Sequence, residues 1–369
     1  MYAITEDRWT PAAASRYLHG RFVWPTTGQE PAERLVVELR RIGRRIGRTT
    51  VLIPTDEEAA VLVSEHADEL AEFFLFPRVE DPGLVRRLAS KQGLHELCVQ
   101  YGVLSPQAAF PDSYEEIEEF AAGACFPIVA KNREAFERRR NPAVPGTTRI
   151  QGPRELLELA HGWGPKPGVI LQEYLPREEA EDWIVHAYFG AGAAEPVVFT
   201  GVKVRSWPPH AGMTACAYVV SNPELAELTS RFCKSIGFQG IADLDWRYDR
   251  RDGRYKLLDF NPRMGAQFRL FESAAGIDVV RAQHLDLTGR EIPRSGQREG
   301  RRLVVENIDL PALLAYRRSG YTTPHAPARA SGTELAWLAA DDLKPFVTML
   351  ARFVRPGAEH LLQMYRSRR

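Results

Sequence analysis

Residues 243–263, DLDWRYDRRDGRYKLLDFNPR, constrain this chain more than any other stretch. Two strand-like runs flank an Asp252-Gly253 turn, the pattern of a tight antiparallel hairpin. Alternation decides which side chains share a face. Asp245 and Asp259 stand on opposite arms, Asn261 follows Asp259 by two, and Arg263 follows by two more. This is an oxygen-only set of two carboxylates and an amide beside a guanidinium. It suits a hard cation such as Mg²⁺, which completes its shell with water and phosphate oxygens, while the guanidinium suits a phosphoryl group or oxyanion. The plain alternative is a polar hairpin face on a surface sheet.

Upstream, PAERLVVELRRIGRRIG predicts a helix with Leu35, Val36, Leu39, Ile42 and Ile46 on one stripe. VLIP (51–54) and FFLFP (73–77) read as strands around a helix capped by Thr55 or Asp56, which together predict a small open α/β sheet. LVRRLASKQGLHELCVQYG predicts one amphipathic helix ending near Gly102. Strands and helices then mix as in α+β lobes, and beyond about residue 300 the chain reads as mainly helical. The expected divisions are an N-terminal α/β domain over 1–83, a region over 84–300 with lobes at about 115–175 and 176–300, and a C-terminal segment over 301–369.

Composition excludes several classes. The 369 residues carry 48 basic and 48 acidic side chains, so the positive excess of a general nucleic-acid binder is missing. The basic run RRIGRRIGR (40–48) reads as the solvated face of a helix. Cys98, Cys125, Cys216 and Cys233 are scattered without a CxxC pair, no apolar run reaches the roughly 18 residues of a membrane span, and the start lacks a signal-peptide pattern. These features predict a reduced, cytoplasmic protein bound to neither membrane nor nucleic acid; a homodimer is admitted. Only 7 of the 48 basic residues are Lys, so each lysine carries weight. Lys131 ends the strand FPIVAK, either aimed at phosphate or snorkelling to solvent. Lys203 and Arg205 put two cations on one strand face, functional or merely solvated, and Lys91 sits in a helix as SKQ. VILQEYLP offers Gln172 and Glu173 at a strand end, with Leu175 placed to meet a ring.

In this order, SK (90–91), FPIVAK (126–131), VILQEYL (169–175), VKVR (202–205) and DLDW…LLDFNPR (243–263) resemble the ATP-grasp superfamily. SRYLHGRFVWP…LIPTDEEAAVLVSEHADEL and VKVRSWPPHAGMT resemble its carboxylate–amine ligase group, related to D-aspartate ligase. The resemblance implies an N-terminal Rossmann-like domain followed by two α+β lobes clasping ATP. It implies Mg²⁺, with Mn²⁺ as the substitute, on Asp245, Asp259 and Asn261. Lys91 and Lys131 would contact nucleotide phosphates, Gln172, Glu173 and Leu175 would hold adenine, and Asp182 the ribose. Arg263, with Lys203 and Arg205, would serve the transferred phosphoryl group. The implied activity is ATP-dependent amide formation through an acyl-phosphate, with amino acids or small peptides as acid and amine. A carboxylase-type enzyme and a nucleotide-binding protein without ligase activity are the rivals. Two departures stand out. The loop after Lys131 has Arg138, Arg139 and Arg140 in place of several glycines, closing over the triphosphate or simply solvated. The strand and helix that usually open the family precede no part of this sequence, which is expected to reflect a late-annotated start. The proton acceptor for the amine is open between substrate phosphate, Asp243 and His210.

Overall fold

The computed structural model describes residues 1–26, 30–133, 143–191, 195–209, 212–319 and 325–352. It opens with two separate parallel pairs of short strands where one small sheet was expected. β1 (Tyr2–Thr5) lies beside β2 (Gly20–Val23). After helix α1 (Ala32–Ile46), β3 (Thr50–Val51) is linked through α2 (Glu57–Glu65) and α3 (Ala67–Leu70) to its partner β4 (Phe74–Leu75). Val36 and Leu39 of the α1 stripe pack on Val63, Leu70 and Phe74. Asp56 caps α2, accepting the Ala59 N–H at 2.8 Å.

The single helix predicted from residue 84 is two: α4 (Gly83–Ala89) and α5 (Lys91–Gln100). Ser90 breaks it, with extended backbone (φ −88°, ψ 135°) and a side chain that accepts the Gly93 N–H. Local capping competes here with helix continuation. The break lets α5 turn back on α4, and Gly93 is required there, because a Cβ would stand 2.5 Å from the Arg87 carbonyl oxygen.

Next comes a four-stranded antiparallel sheet. It contains β5 (Ala108–Ala109), β6 (Ile128–Asn132), β7 (Thr147–Ile150) and β8 (Val169–Glu173) in the order β5-β8-β6-β7. Helices α6 (Tyr114–Gly123) and α7 (Pro153–Ala160) pack on it through Ile117 and Leu156 against Ile128, Ile150 and Leu171.

The largest layer has seven strands. β9 (Ala180–Phe189), β10 (Val197–Trp207), β11 (Met213–Val219), β12 (Gly240–Asp249), β13 (Arg254–Asn261), β14 (Arg301–Val304) and β15 (Gly332–Leu335) run in the order β13-β12-β9-β10-β11-β14-β15. Its helices are α8 (Pro223–Ser235), α9 (Val279–Leu287) and α10 (Glu306–Ser319). The segment beyond 300 is therefore not simply helical, since β14 and β15 extend this sheet.

Central β9 is buried on both sides. Trp183, Val185 and Phe189 face α4, α5 and α8 through Leu84, Leu97 and Phe232. The alternate residues Ile184 and Tyr188 face Leu270, Phe271 and Val279. Asp182 and His186 lie on the face of that second set, while Glu181, at the start of the strand on the other face, pairs with Arg250 and His325. No helix among the described residues is long and apolar enough to cross a membrane.

Candidate active site

The acidic cluster depends on a bulge. Counting from the turn, Asp249 pairs with Arg254 and so on to Trp246 with Leu257. A regular ladder would next pair Asp245 with Leu258 and turn Asp259 to the other face. Leu258 is instead left out: Asp245 pairs with Asp259, and Asp243 with Asn261. One extra residue in β13 thus brings three carboxylates and an amide to one face. The expected set is assembled, and Asp243 joins it.

Three lysines from three elements meet this face. The break at Ser90 puts Lys91 in the first turn of α5, where its Nζ forms an ion pair with Asp259. Lys203 Nζ of β10 lies 2.6 Å from Asp245 Oδ1. Lys131 Nζ donates to Gln172 Oε1 at 2.9 Å. Burial first, then the neighbouring Lys91 charge, push the Lys131 ammonium down to about 8. Burial works against the charge of Lys203 as well, but Asp245 outweighs it and holds the ammonium above its ordinary value. Asp245 is raised by burial and by the Asp243 and Asp259 charges. Asp259, equally buried, is held low because Lys91, Lys131 and Lys203 surround it.

Arg205 does not join them. The β10–β11 register shifts between residues 203 and 205, so Lys203 pairs with Ala217 and Arg205 with Cys216. Adjacent residues of β11 point to opposite faces, which separates the two cations. Arg205 makes a two-pronged ion pair with Asp309 of α10, Nε to Oδ1 at 2.8 Å and Nη2 to Oδ2 at 3.0 Å. The expected shared face is therefore corrected.

Arg263 closes the other end of the cluster. Its Nη2 and Nε donate to Glu57 Oε1 of α2 at 2.6 and 3.1 Å, and Nη2 also donates to Asn261 Oδ1 at 3.2 Å. Its Nη1 lies 3.5 Å from Asp243 Oδ2. Asp243 is buried with His186, whose Nε2 stands 3.1 Å from Oδ1 but out of line for a hydrogen bond. Burial opposes ionisation of Asp243, yet His186, Arg263 and Lys203 keep it below its ordinary value. Gly265 makes room for this packing, since a Cβ there would meet Asp243 Oδ2 at 2.3 Å and His186 Cε1 at 2.5 Å.

Between the two sheets lies a cleft lined by Lys91, His95, Lys131, Gln172 and Leu257. Gln172 is buried in its wall, and Leu175, three residues on, is buried as well. The Glu173 carboxylate is not free for a ligand: Arg251 Nη2 donates to it at 2.8 Å, and Lys256 Nζ stands 3.5 Å away. Asp182 accepts from Arg247 Nε at 2.7 Å, and the same guanidinium donates to the Leu175 carbonyl. Arg138, Arg139, Arg140 and His210 lie outside the described residues.

Among the described residues no group of three or more His, Cys, Asp or Glu side chains is arranged to hold a metal. The smaller anticipated set does fit a hard cation. Asp245 Oδ1 is buried and makes no hydrogen bond, ammonium groups already approach Asp245 and Asp259, and all donors are oxygens. The sequence signals missed Glu57, His186 and Arg247. No short motif links Glu57 to Arg263 across 206 positions.

No family model matches the chain. Over 247 residues it is 25% identical to D-aspartate ligase of Enterococcus faecium, an alignment spanning 63% of this chain and 57% of that enzyme. The chain thus spans little more than half the length of that relative. Its backbone superposes on L-amino acid ligase of Bacillus licheniformis with a TM-score of 0.57 at 16% identity, covering 78% of this chain and 73% of that one. It also superposes on the biotin carboxylase domain of Hydrogenobacter thermophilus 2-oxoglutarate carboxylase, solved with MgADP, ADP and bicarbonate, at 0.57 and 13% identity, covering 82% and 73%. The chain has the ATP-grasp fold. Lys131 comes from the four-stranded sheet and Lys91 from α5, whereas Lys203 shares the seven-stranded sheet with Asp245 and Asp259.

Proposed function

We propose that this ATP-grasp protein is an ATP-dependent carboxylate–amine ligase, with ATP in the cleft between the sheets. The carrying observation is the convergence of Lys91, Lys131 and Lys203 on Asp245 and Asp259, with Arg263 beside them. The similarity to D-aspartate ligase supports an acid and an amine as partners. Adenine would lie against Leu175 and Gln172, taking backbone groups at the end of β8, and Asp182 would reach the ribose.

A carboxylate is a poor electrophile because oxide is its leaving group. Its oxygen attacks the γ-phosphorus, ADP departs, and the acyl-phosphate so formed carries a good leaving group. The amine nitrogen then attacks the carbonyl carbon, inorganic phosphate leaves, and the nitrogen loses a proton. Such chemistry asks the protein chiefly for alignment and charge neutralisation. Asp245, Asp259 and Asn261 would hold Mg²⁺, which neutralises phosphate charge when bound. Lys131, Lys91 and Lys203 would offset the rest, Lys91 and Lys203 passing from carboxylate to phosphate and Lys131 from the Gln172 amide. Glu57, Asn261 and the Met264 carbonyl, which accepts from Nη1 at 3.0 Å, hold Arg263 in place, so that its guanidinium charge can steady the acyl-phosphate and the tetrahedral oxyanion. Substrate phosphate, or Asp243, which His186 and Arg263 keep ionised, would accept that proton.

The test is ADP release in the presence of ATP, Mg²⁺ and panels of acids and amines. Turnover that needs both an acid and an amine supports the ligase. Asp259→Ala should lower it at least a hundredfold with the fold retained by circular dichroism, and full turnover in that variant would remove the metal assignment.

A further inference from the structure

We infer that a cavity beside Arg263 receives the side chain of the acid substrate, and that this side chain is short and uncharged. The inference rests on the ligase reading. The cavity lies between the N-terminal domain and the start of β12, with Ala60, Val63, Phe76, Phe238 and Met264 among its walls and Arg263 at one end. About 50 Å³ is open to the centres of water-sized atoms. At roughly 10–15 Å³ each, that is room for about three to five such atoms.

Two observations set the chemistry. Arg263 is the only charged side chain among the described residues lining the cavity, and it already faces Glu57 and Asp243. A second carboxylate in the cavity would lie unpaired against apolar walls, which is strongly unfavourable. The walls are not wholly apolar, however. Gln283 reaches in from α9, is 3% exposed, and leaves its Nε2 buried without a hydrogen-bond partner. The Ser64 hydroxyl, by contrast, is already given to the Pro82 carbonyl at 3.0 Å. A buried N–H of this kind is satisfied by an acceptor on the ligand. The fitting substrate is a carboxylic acid whose side chain has about three to five heavy atoms and one neutral acceptor oxygen, a hydroxyl or an amide.

Hydroxylamine serves as the amine probe, because it captures acyl-phosphates as hydroxamates. With ATP and Mg²⁺, kcat/KM for threonine, asparagine and glutamine, in both enantiomers, should exceed that for aspartate and glutamate at least tenfold in the preferred series. Val63→Phe, which fills the cavity, should reduce the ratio of kcat/KM for these acids to that for glycine about tenfold. Gln283→Leu should remove roughly a tenfold preference for threonine over valine, the scale of one hydrogen bond to a buried donor. Preference for the dicarboxylates, or unchanged ratios in both variants, would overturn the assignment. Hydroxamate formed without side-chain discrimination sinks the cavity alone, whereas none from any acid sinks the ligase reading. If Val63→Phe melts early, the threonine-to-valine ratio in Gln283→Leu decides.

Discussion

Lys131 offers the sharpest quantitative prediction, because its ammonium is pushed down to about 8 by burial and the nearby Lys91 charge. Only the protonated form attracts nucleotide phosphate. Below pH 8 most molecules carry that charge before ADP arrives, so affinity is nearly flat. Above pH 8 each binding event must first take up a proton, and the apparent Kd should rise about tenfold per pH unit, or about 1.4 kcal/mol per unit. The sign follows from the lowered value: affinity is complete below about 8 and is lost as the pH rises through it. Titration calorimetry of ADP in EDTA between pH 7.5 and 9.5 reads this without a metal. Buffers of differing ionisation heat should reveal uptake approaching one proton near pH 9. Lys131→Met should bind more weakly at pH 7.5 and lose the slope. A flat wild-type profile, or the same slope in the Met variant, would refute the reasoning.

Deleting Leu258 would remove the bulge and leave Asp259 opposite Asp245 in a regular ladder, because Asp259 would then follow Leu257; Mg²⁺-dependent ADP release should persist, and its loss with the fold retained would show that the shared face alone is not what the site needs. Gly265→Ala should cost about 1–3 kcal/mol, read as a lowered urea midpoint, because the new methyl collides with Asp243 and His186. For Arg205 and Asp309, a double-mutant cycle of Arg205→Ala with Asp309→Asn should give a coupling of about 1–3 kcal/mol in stability, as expected for a two-pronged, partly buried pair. An additive cycle would instead return Arg205 to the cations around the phosphates.

Much of the site was legible because its residues sit close together in sequence. Asp245, Asp259 and Asn261 lie on one hairpin, and the turn at Asp252-Gly253 announces the pairing. The scarcity of lysine helped to pick out Lys91, Lys131 and Lys203, but Lys256 escaped the same logic: it is buried and tied to Asp249 at 2.8 Å beside Glu173. That knot of charge joins the end of β8 to the β12–β13 turn, which explains why the Glu173 carboxylate is occupied. Contacts across domains left no local signal, so Glu57 on Arg263 and Asp309 on Arg205 could not be read. The helix break at Ser90 was readable in principle, since Ser before Lys-Gln-Gly is a capping pattern, but a continuous apolar stripe masked it.

The two register irregularities explain why alternation alone succeeded at one pair and failed at the other. A strand pattern with a period of two predicts a shared face only while the ladder stays regular. Asp245 and Asp259 share a face because Leu258 interrupts the ladder, and Lys203 and Arg205 are separated because β10 and β11 shift between them. Both irregularities lie within a residue or two of charged side chains that must point a particular way. That placement is itself the argument for function: a sheet built only for stability gains nothing from turning Asp259 toward two other carboxylates, where mutual repulsion and burial raise the cost of ionisation. A bound cation removes that repulsion. The ammonium groups of Lys91 and Lys203 now compensate it in part, so nucleotide and metal binding should relieve a strain that the hairpin has already been shaped to bear.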